Sequence, residues 1–210
     1  MAKRDPQSIL LLLKKTYPNA YCELTFSNPL ELLIATILSA QCTDKRVNIV
    51  TPHLFAKFST VKAIAEAPIA ELEKLVQSTG FYKNKARNIK ACCQQLVSLH
   101  KGEVPQSMEE LHALPGVGRK TANVVLGNAF NISEGIVVDT HIGRLSRRFK
   151  FTKHTDPVKI EQDLIKVVPK PDWTTFCHQM IWHGRRRCYA RKPDCTHCEL
   201  AGICPSFGKV

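Results

Sequence analysis

The 210-residue chain predicts an all-α protein. Apolar residues recur at helical spacing along most of its length, with almost no strand-like alternation. Residues that start and stop helices bracket those recurrences. No long linker or low-complexity tract separates them.

The apolar run Ile9 to Leu13, closed by Lys14 and Lys15, predicts an N-terminal helix. It is too short for the apolar region of a signal peptide and far too short to span a bilayer, so a cytoplasmic chain with no membrane association is expected. Asn28-Pro29 opens the stretch Leu30 to Leu38, with Pro29 suited to a first helical position. Thr43-Asp44 starts a helix towards Phe58, and Pro52 inside it is expected to kink or split it. Pro68 begins a helix through Val76 that Gly80 closes. A longer pattern runs from Tyr82 to His100, and Gly102 ends it. Ser107 with Glu110 forms a capping box for a short helix, Met108 to Ala113. Another helix follows Gly118 and reaches Phe130. Thr140 can cap one through Phe149, Asp156-Pro157 one through Val167, and Asp172 one through His183. Ile132 to Val138 is short, is interrupted by Gly135 and reads as a linker. Gly80–Ala86 echoes Gly116–Ala122, each a glycine turn before a basic helix start; chance and a duplicated helical hairpin both account for it.

Hydrophobic residues make up 44% of the chain, enough for a core without disulfides. The 30 basic residues outnumber the 18 acidic ones, giving +12. That surplus points to a polyanionic partner, DNA or RNA first, against the alternative of a merely soluble basic protein. Nine cysteines in a reducing compartment are not a disulfide framework. Four of them form a C-terminal Cys-x6-Cys-x2-Cys-x5-Cys pattern: Cys188, Cys195, Cys198 and Cys204. Thiolates are soft ligands that favour iron–sulfur clusters or zinc. Zinc fits less well, because only Cys195 and Cys198 form a knuckle, and a bacterial ferredoxin run is tighter. His197 sits between two better ligands. Cys22, Cys42, Cys92, Cys93 and Cys177 read as small core residues. The loop Tyr189 to Asp194 carries Arg191 and Lys192 and follows Arg185 to Arg187. These residues are either phosphate contacts or a solvated charge run.

Leu114-Pro115-Gly116-Val117-Gly118 joins two helices, and its glycines permit a tight turn. The unpaired amides of the next helix start, with its dipole, favour an anion such as phosphate. No strand precedes the turn, so a Rossmann or P-loop reading fails. Arg119 and Lys120 then open the helix at its positive end, where a cation is electrostatically misplaced. That placement, with Arg119 and some desolvation, favours a neutral amine, and a neutral amine is a nucleophile. Asp139, after Val137-Val138, is either an N-cap or a carboxylate facing Lys120. His141 reads as structural.

These residues together resemble the endonuclease III family of helix-hairpin-helix DNA glycosylases. The motifs are Leu114–Val125 (LPGVGRKTANVV), Val138–Ile142 (VDTHI), Ser39-Ala40-Gln41 with Thr43-Asp44, and the cysteine tail, in the right order across essentially the whole chain. The resemblance implies a two-lobed fold, with a six-helix lobe over residues 22–133 and a second lobe from 1–21 plus 134–210 holding a [4Fe-4S] cluster on the four cysteines. DNA would lie in the cleft between them. It implies a monomeric base-excision enzyme that removes oxidised or ring-saturated pyrimidines from double-stranded DNA and nicks abasic sites, associated with the nucleoid. Lys120 would attack the sugar C1′, Asp139 would assist, and a Schiff base would allow β-elimination. Gln41 matches the residue that fills the gap left by the flipped nucleotide. Phe81 matches a second wedge residue, more often leucine. Gly116 and Gly118 would bind phosphate through their backbone, beside Arg119. His112 and Gly143 depart from some relatives and bear on base preference only.

Among rivals, the adenine-specific branch lacks this lysine and carries an extra C-terminal domain, whereas this chain ends six residues after Cys204. Mismatch-specific thymine glycosylases usually replace the lysine. A non-catalytic DNA-binding hairpin and an iron–sulfur electron carrier are the alternatives from other classes.

Overall fold

The computed structural model describes residues 5–210, so the first four residues of the 1–21 segment lie outside it. Its described residues form helices α1 (Pro6–Thr16), α2 (Pro29–Ser39), α3 (Asp44–Lys57), α4 (Val61–Glu66), α5 (Ile69–Val76), α6 (Tyr82–Leu99), α7 (Met108–Ala113), α8 (Arg119–Ala129), α9 (Thr140–Arg148), α10 (Pro157–Leu164) and α11 (Trp173–Arg186). Short 3-10 turns stand at Gln77–Thr79 and Lys170–Asp172, and there is no strand among the described residues. No helix is long and apolar enough to cross a membrane.

The chain divides into two compact units, Cys22–Glu134 and Met1–Tyr21 with Gly135–Val210. In Cys22–Glu134, α2 is buried on every side from Leu32 to Leu38, as its unbroken apolar run requires. It packs on α3, α6 and α8. Each fully buried leucine there contributes about 1.5–3 kcal/mol. Asn28 caps α2 by accepting from Glu31 N at 3.0 Å, and Thr43, Thr60 and Ser107 cap α3, α4 and α7 in the same way.

Several expectations need correcting. Helix α3 runs through Pro52 without splitting. The lost hydrogen bond is outweighed by the buried face of Val47, Val50 and Leu54, while Thr51 Oγ1 donates to Val47 O at 3.2 Å. Helix α4, with one buried pair, Ile64 and Ala65, was not expected at all.

In the other unit, α11 packs on α1 and α9 around Ile9, Leu13, Leu145, Phe176 and Met180. Ile136, in the linker before α9, joins this core. A Cβ on Gly184 would lie 2.7 Å from His141 Nδ1, so the α9–α11 contact depends on that glycine. The cap of α9 is Asp139, not Thr140: Asp139 Oδ1 accepts from Ile142 N at 2.8 Å. Helix α10 ends at Leu164, short of Val167. Asp172 makes no side-chain cap on α11 and pairs instead with Lys14 at 3.3 Å.

Candidate functional site

Helices α7 and α8 form a hairpin whose turn buries Leu114 and Val117 and exposes both glycines. Its first bond is Val117 N to Leu114 O, 3.1 Å. The glycines differ. Gly116 has φ +77°, and a Cβ there would come within 2.8 Å of Asn88 Cβ on α6. Gly118, the N-cap of α8, has φ −87° and ψ 171°, and a Cβ there would meet nothing within 4 Å. The turn therefore needs Gly116 but not Gly118, which departs from the expectation that both glycines serve it. The missing side chain at 118 leaves open space beside the amides of the first turn of α8, where no side chain caps. The lack of a cap and the helix dipole together suit an anion. Arg119 and Lys120 follow, both exposed. The protein itself supplies no burial at Lys120, so the desolvation expected there is absent from the chain alone.

Two other expected site residues stand on corners of the same unit. Gln41, between α2 and α3, is exposed with φ +53°. Phe81, the N-cap of α6, has φ +49° and is 67% exposed. Left-handed backbone is uncommon for residues with side chains. The echo between Gly80–Ala86 and Gly116–Ala122 keeps a positive φ at Gly80 and Gly116 and a basic helix start after each. The residues after the two glycines diverge, because Phe81 is left-handed and Val117 is not.

Asp139 belongs to the other unit. It is half-buried, and its capping bond uses one carboxylate oxygen, Oδ1. His141 is half-buried, 3.2 Å from Arg144 Nη2, and burial lowers its pKa, with nearby Arg144 adding to the effect. These contacts suit the structural reading of this histidine.

The four C-terminal cysteines are free and line one pocket with Arg148, Phe149 and His183. Burial pushes the Cys198 thiol up to about 11 and raises that of Cys204, so the thiolate forms need a positive centre among them. Arg148 contributes part of that charge: Nη1 donates to Cys188 Sγ at 3.1 Å and to Tyr189 O at 2.7 Å, and Nη2 donates to Ala190 O at 3.1 Å. Arg144 Nη2 holds Cys188 O at 3.0 Å. The donor set fits a metal centre. A mixed group, His183, Cys198 and Glu199, also has ligand atoms within 4.8 Å of one another. In that group His183 Nδ1 meets Tyr17 Oη at 3.1 Å while its Nε2 lies 3.8 Å from Cys198 Sγ, and Glu199 pairs with Arg187 at 3.2 Å. His197 faces Asp194 at 2.8 Å.

Arg191 and Lys192 are exposed on the loop between Cys188 and Cys195. Arg187 is held by Glu199, with Asp194 at 3.8 Å, and Arg186 stacks on Trp182 at 3.7 Å. Part of the arginine run is therefore structural. Cys92, Cys93 and Cys177 are buried core residues as read, while Cys22 and Cys42 are only half-buried. Sequence reasoning missed Arg144 and Arg148, whose spacing along α9 gave no sign of the loop they fasten.

Residues 34–170 match the family described as HhH-GPD superfamily base excision DNA repair protein. The chain is 55% identical to endonuclease III of Synechocystis sp. over 204 residues, 97% of this chain and 93% of that one. It is 42% identical to endonuclease III of Escherichia coli strain K12, covering 100% of this chain and 99% of that one. A solved structure of a trapped endonuclease III–DNA covalent intermediate superposes with a TM-score of 0.89 at 46% identity, covering 96% of each chain.

Proposed function

The chain belongs to the HhH-GPD superfamily of base excision DNA repair proteins, and from that premise we propose that it is an endonuclease III: a DNA glycosylase and abasic-site lyase working through Lys120. Its substrates are duplexes carrying oxidised or ring-saturated pyrimidines or abasic sites, with the target nucleotide turned out of the stack. The phosphate backbone meets the open first turn of α8 at Gly118, next to Gly116 and Arg119, with further contact from Arg191 and Lys192. Gln41 and Phe81 fill and wedge the vacated stack. The chain works as a monomer in the cytoplasm, on nucleoid DNA.

The Nζ of Lys120 attacks C1′, the N-glycosidic bond breaks, and the base leaves with the electron pair. Sugar opening gives an imine between Lys120 and C1′. Loss of a C2′ proton expels the 3′ phosphate, which nicks the strand, and water then frees the lysine. A phosphate laid over α8 and the covering duplex remove water from Lys120, supplying the desolvation that the chain alone lacks. Asp139 assists as a carboxylate, by activating the amine or by stabilising cationic character at the sugar. Cys188, Cys195, Cys198 and Cys204 would hold a [4Fe-4S] cluster, which when bound fixes the shape of the basic loop. Four free thiols around one pocket with Arg148 at Cys188 support that reading. The cluster unit and the hairpin unit form the two lobes.

The observation that carries the proposal is an exposed lysine on the first turn of an uncapped helix, in a chain 46% identical to a protein trapped covalently on DNA. Borohydride reduction during turnover on an abasic duplex tests it. Wild type must give a covalent protein–DNA adduct and Lys120→Ala none. An adduct of equal yield with Lys120→Ala would sink the assignment.

A further inference from the structure

The C-terminal end of α2 and the 3-10 turn Gln77–Thr79 end close to a single ammonium. Lys85, on the first turns of α6, is only 5% exposed. Its Nζ donates to Leu38 O at 2.8 Å and to Thr79 O at 2.7 Å. Each acceptor is a carbonyl at the negative end of a helical segment, where a cation is favoured. Burial lowers the pKa of Lys85, and the Cys42 thiol opposes that. The two carbonyls are what make a buried ammonium tolerable.

What lies just beyond each carbonyl gives the clamp its meaning. Three residues after Leu38 the chain turns left-handed at Gln41, and two residues after Thr79 it does so at Phe81. Both side chains are exposed, and Phe81 holds an aromatic ring out in solvent. Left-handed backbone carries a cost at residues with side chains, so a contact that holds the chain at such a corner matters. The segments that lead into the two corners are tied to one nitrogen. Lys85 anchors both.

We propose that Lys85 is a positioning residue that couples the Gln41 and Phe81 corners, so that both side chains enter the base stack as one unit. The inference rests on the function proposed above. Lys85 touches neither substrate nor the reacting atoms. Its loss therefore falls on the step that opens the duplex and spares the chemistry on a nucleotide that is already free.

Lys85→Met, which fills the site and removes the donors, tests this on two substrates. One is a lesion-bearing duplex with 2-aminopurine beside the lesion, so that extrusion is read as fluorescence. The other is a single-stranded abasic oligonucleotide, which needs no opening. The variant should slow extrusion on the order of 10- to 100-fold, the scale on which small misplacements cost rate, and stay within about twofold of wild type on the single strand. Adding Gln41→Ala and Phe81→Ala should leave little further effect of Lys85→Met. Equal losses on both substrates, no loss on either, or full additivity with the corner variants would overturn the proposal. If Lys85→Met does not fold, Lys85→Gln, which keeps an amide donor, is read the same way. Failure of both to fold makes Lys85 a folding residue and equally overturns it. Wild type that neither cleaves nor traps on abasic DNA would instead discard the function itself.

Discussion

Substituting alanine at each glycine of the hairpin should separate its folding from its use. At Gly116 the cost has two parts. A side chain in the left-handed region costs roughly 1–2 kcal/mol. The new Cβ, 2.8 Å from Asn88 Cβ, meets an atom fixed to the α6 backbone that cannot swing aside, and overpacking of that kind costs about 1–3 kcal/mol. Gly116→Ala should therefore destabilise its unit by about 2–5 kcal/mol, a large share of a domain's usual margin. At Gly118 neither part exists. Alanine is the poorer N-cap by roughly 0.5–1 kcal/mol, and that is offset by about 0.4–1 kcal/mol from a less flexible unfolded chain. Gly118→Ala should leave stability within about 0.5 kcal/mol of wild type. On the proposed phosphate contact, its methyl would nevertheless crowd an oxygen approaching the first-turn amides. Losing one charge-assisted hydrogen bond costs about 1.5–3 kcal/mol, or roughly 10- to 100-fold in affinity. Urea unfolding, followed by fluorescence, gives the first quantity. Anisotropy on a duplex bearing a non-reactive tetrahydrofuran abasic site gives the second. The reasoning is refuted if Gly118→Ala unfolds as readily as Gly116→Ala, or if it binds DNA as tightly as wild type.

Asp139→Asn keeps a good N-cap, so the urea midpoint should be unchanged while single-turnover cleavage of a lesion duplex falls at least about a hundredfold. Retained activity would reduce Asp139 to its capping bond. Burial holds His178 at about 4, below the usual histidine value of 6.5, so the folded state prefers it neutral. Its contribution is complete above 6.5 and is lost as pH falls towards 4, about 2 kcal/mol by pH 5. His178→Gln should flatten that acid slope in melts recorded between pH 7 and 5, and an unchanged slope would refute the assignment.

Features set by neighbours along the chain were legible in the sequence. The apolar run after Asn28-Pro29 announces a buried helix, and Ser107 with Glu110 announces α7. The cysteine spacing announces a shared centre, and the four thiols line one pocket. Helix α4 escaped because six residues give too few turns for periodicity to register, although Thr60 caps it. Pro52 does not split α3, because tertiary burial of Val47 and Leu54 outweighs one lost donor. Asp139 and Thr140 are both good caps one position apart, so the sequence offers either, and only backbone geometry selects Asp139.

The two lysines of the candidate machinery show why the rest required coordinates. Lys85 and Lys120 each follow a glycine turn by a few residues, and each opens a basic helix start. As sequence they are alike. In the fold their electrostatic settings are opposite. Lys85 reaches out of its own helix to the negative ends of two others and is buried there as a hydrogen-bonded cation. Lys120 stays exposed at the positive end of its own helix, with no comparable stabilisation of its charge. A lysine held by carbonyls is a structural clamp, because its nitrogen is committed to donating. A lysine left at a helix start beside an anion site is free to offer its lone pair once water is removed. Residue type and spacing mark both positions as basic; which end of which helix each nitrogen meets is what separates the positioning proposed for Lys85 from the chemistry proposed for Lys120.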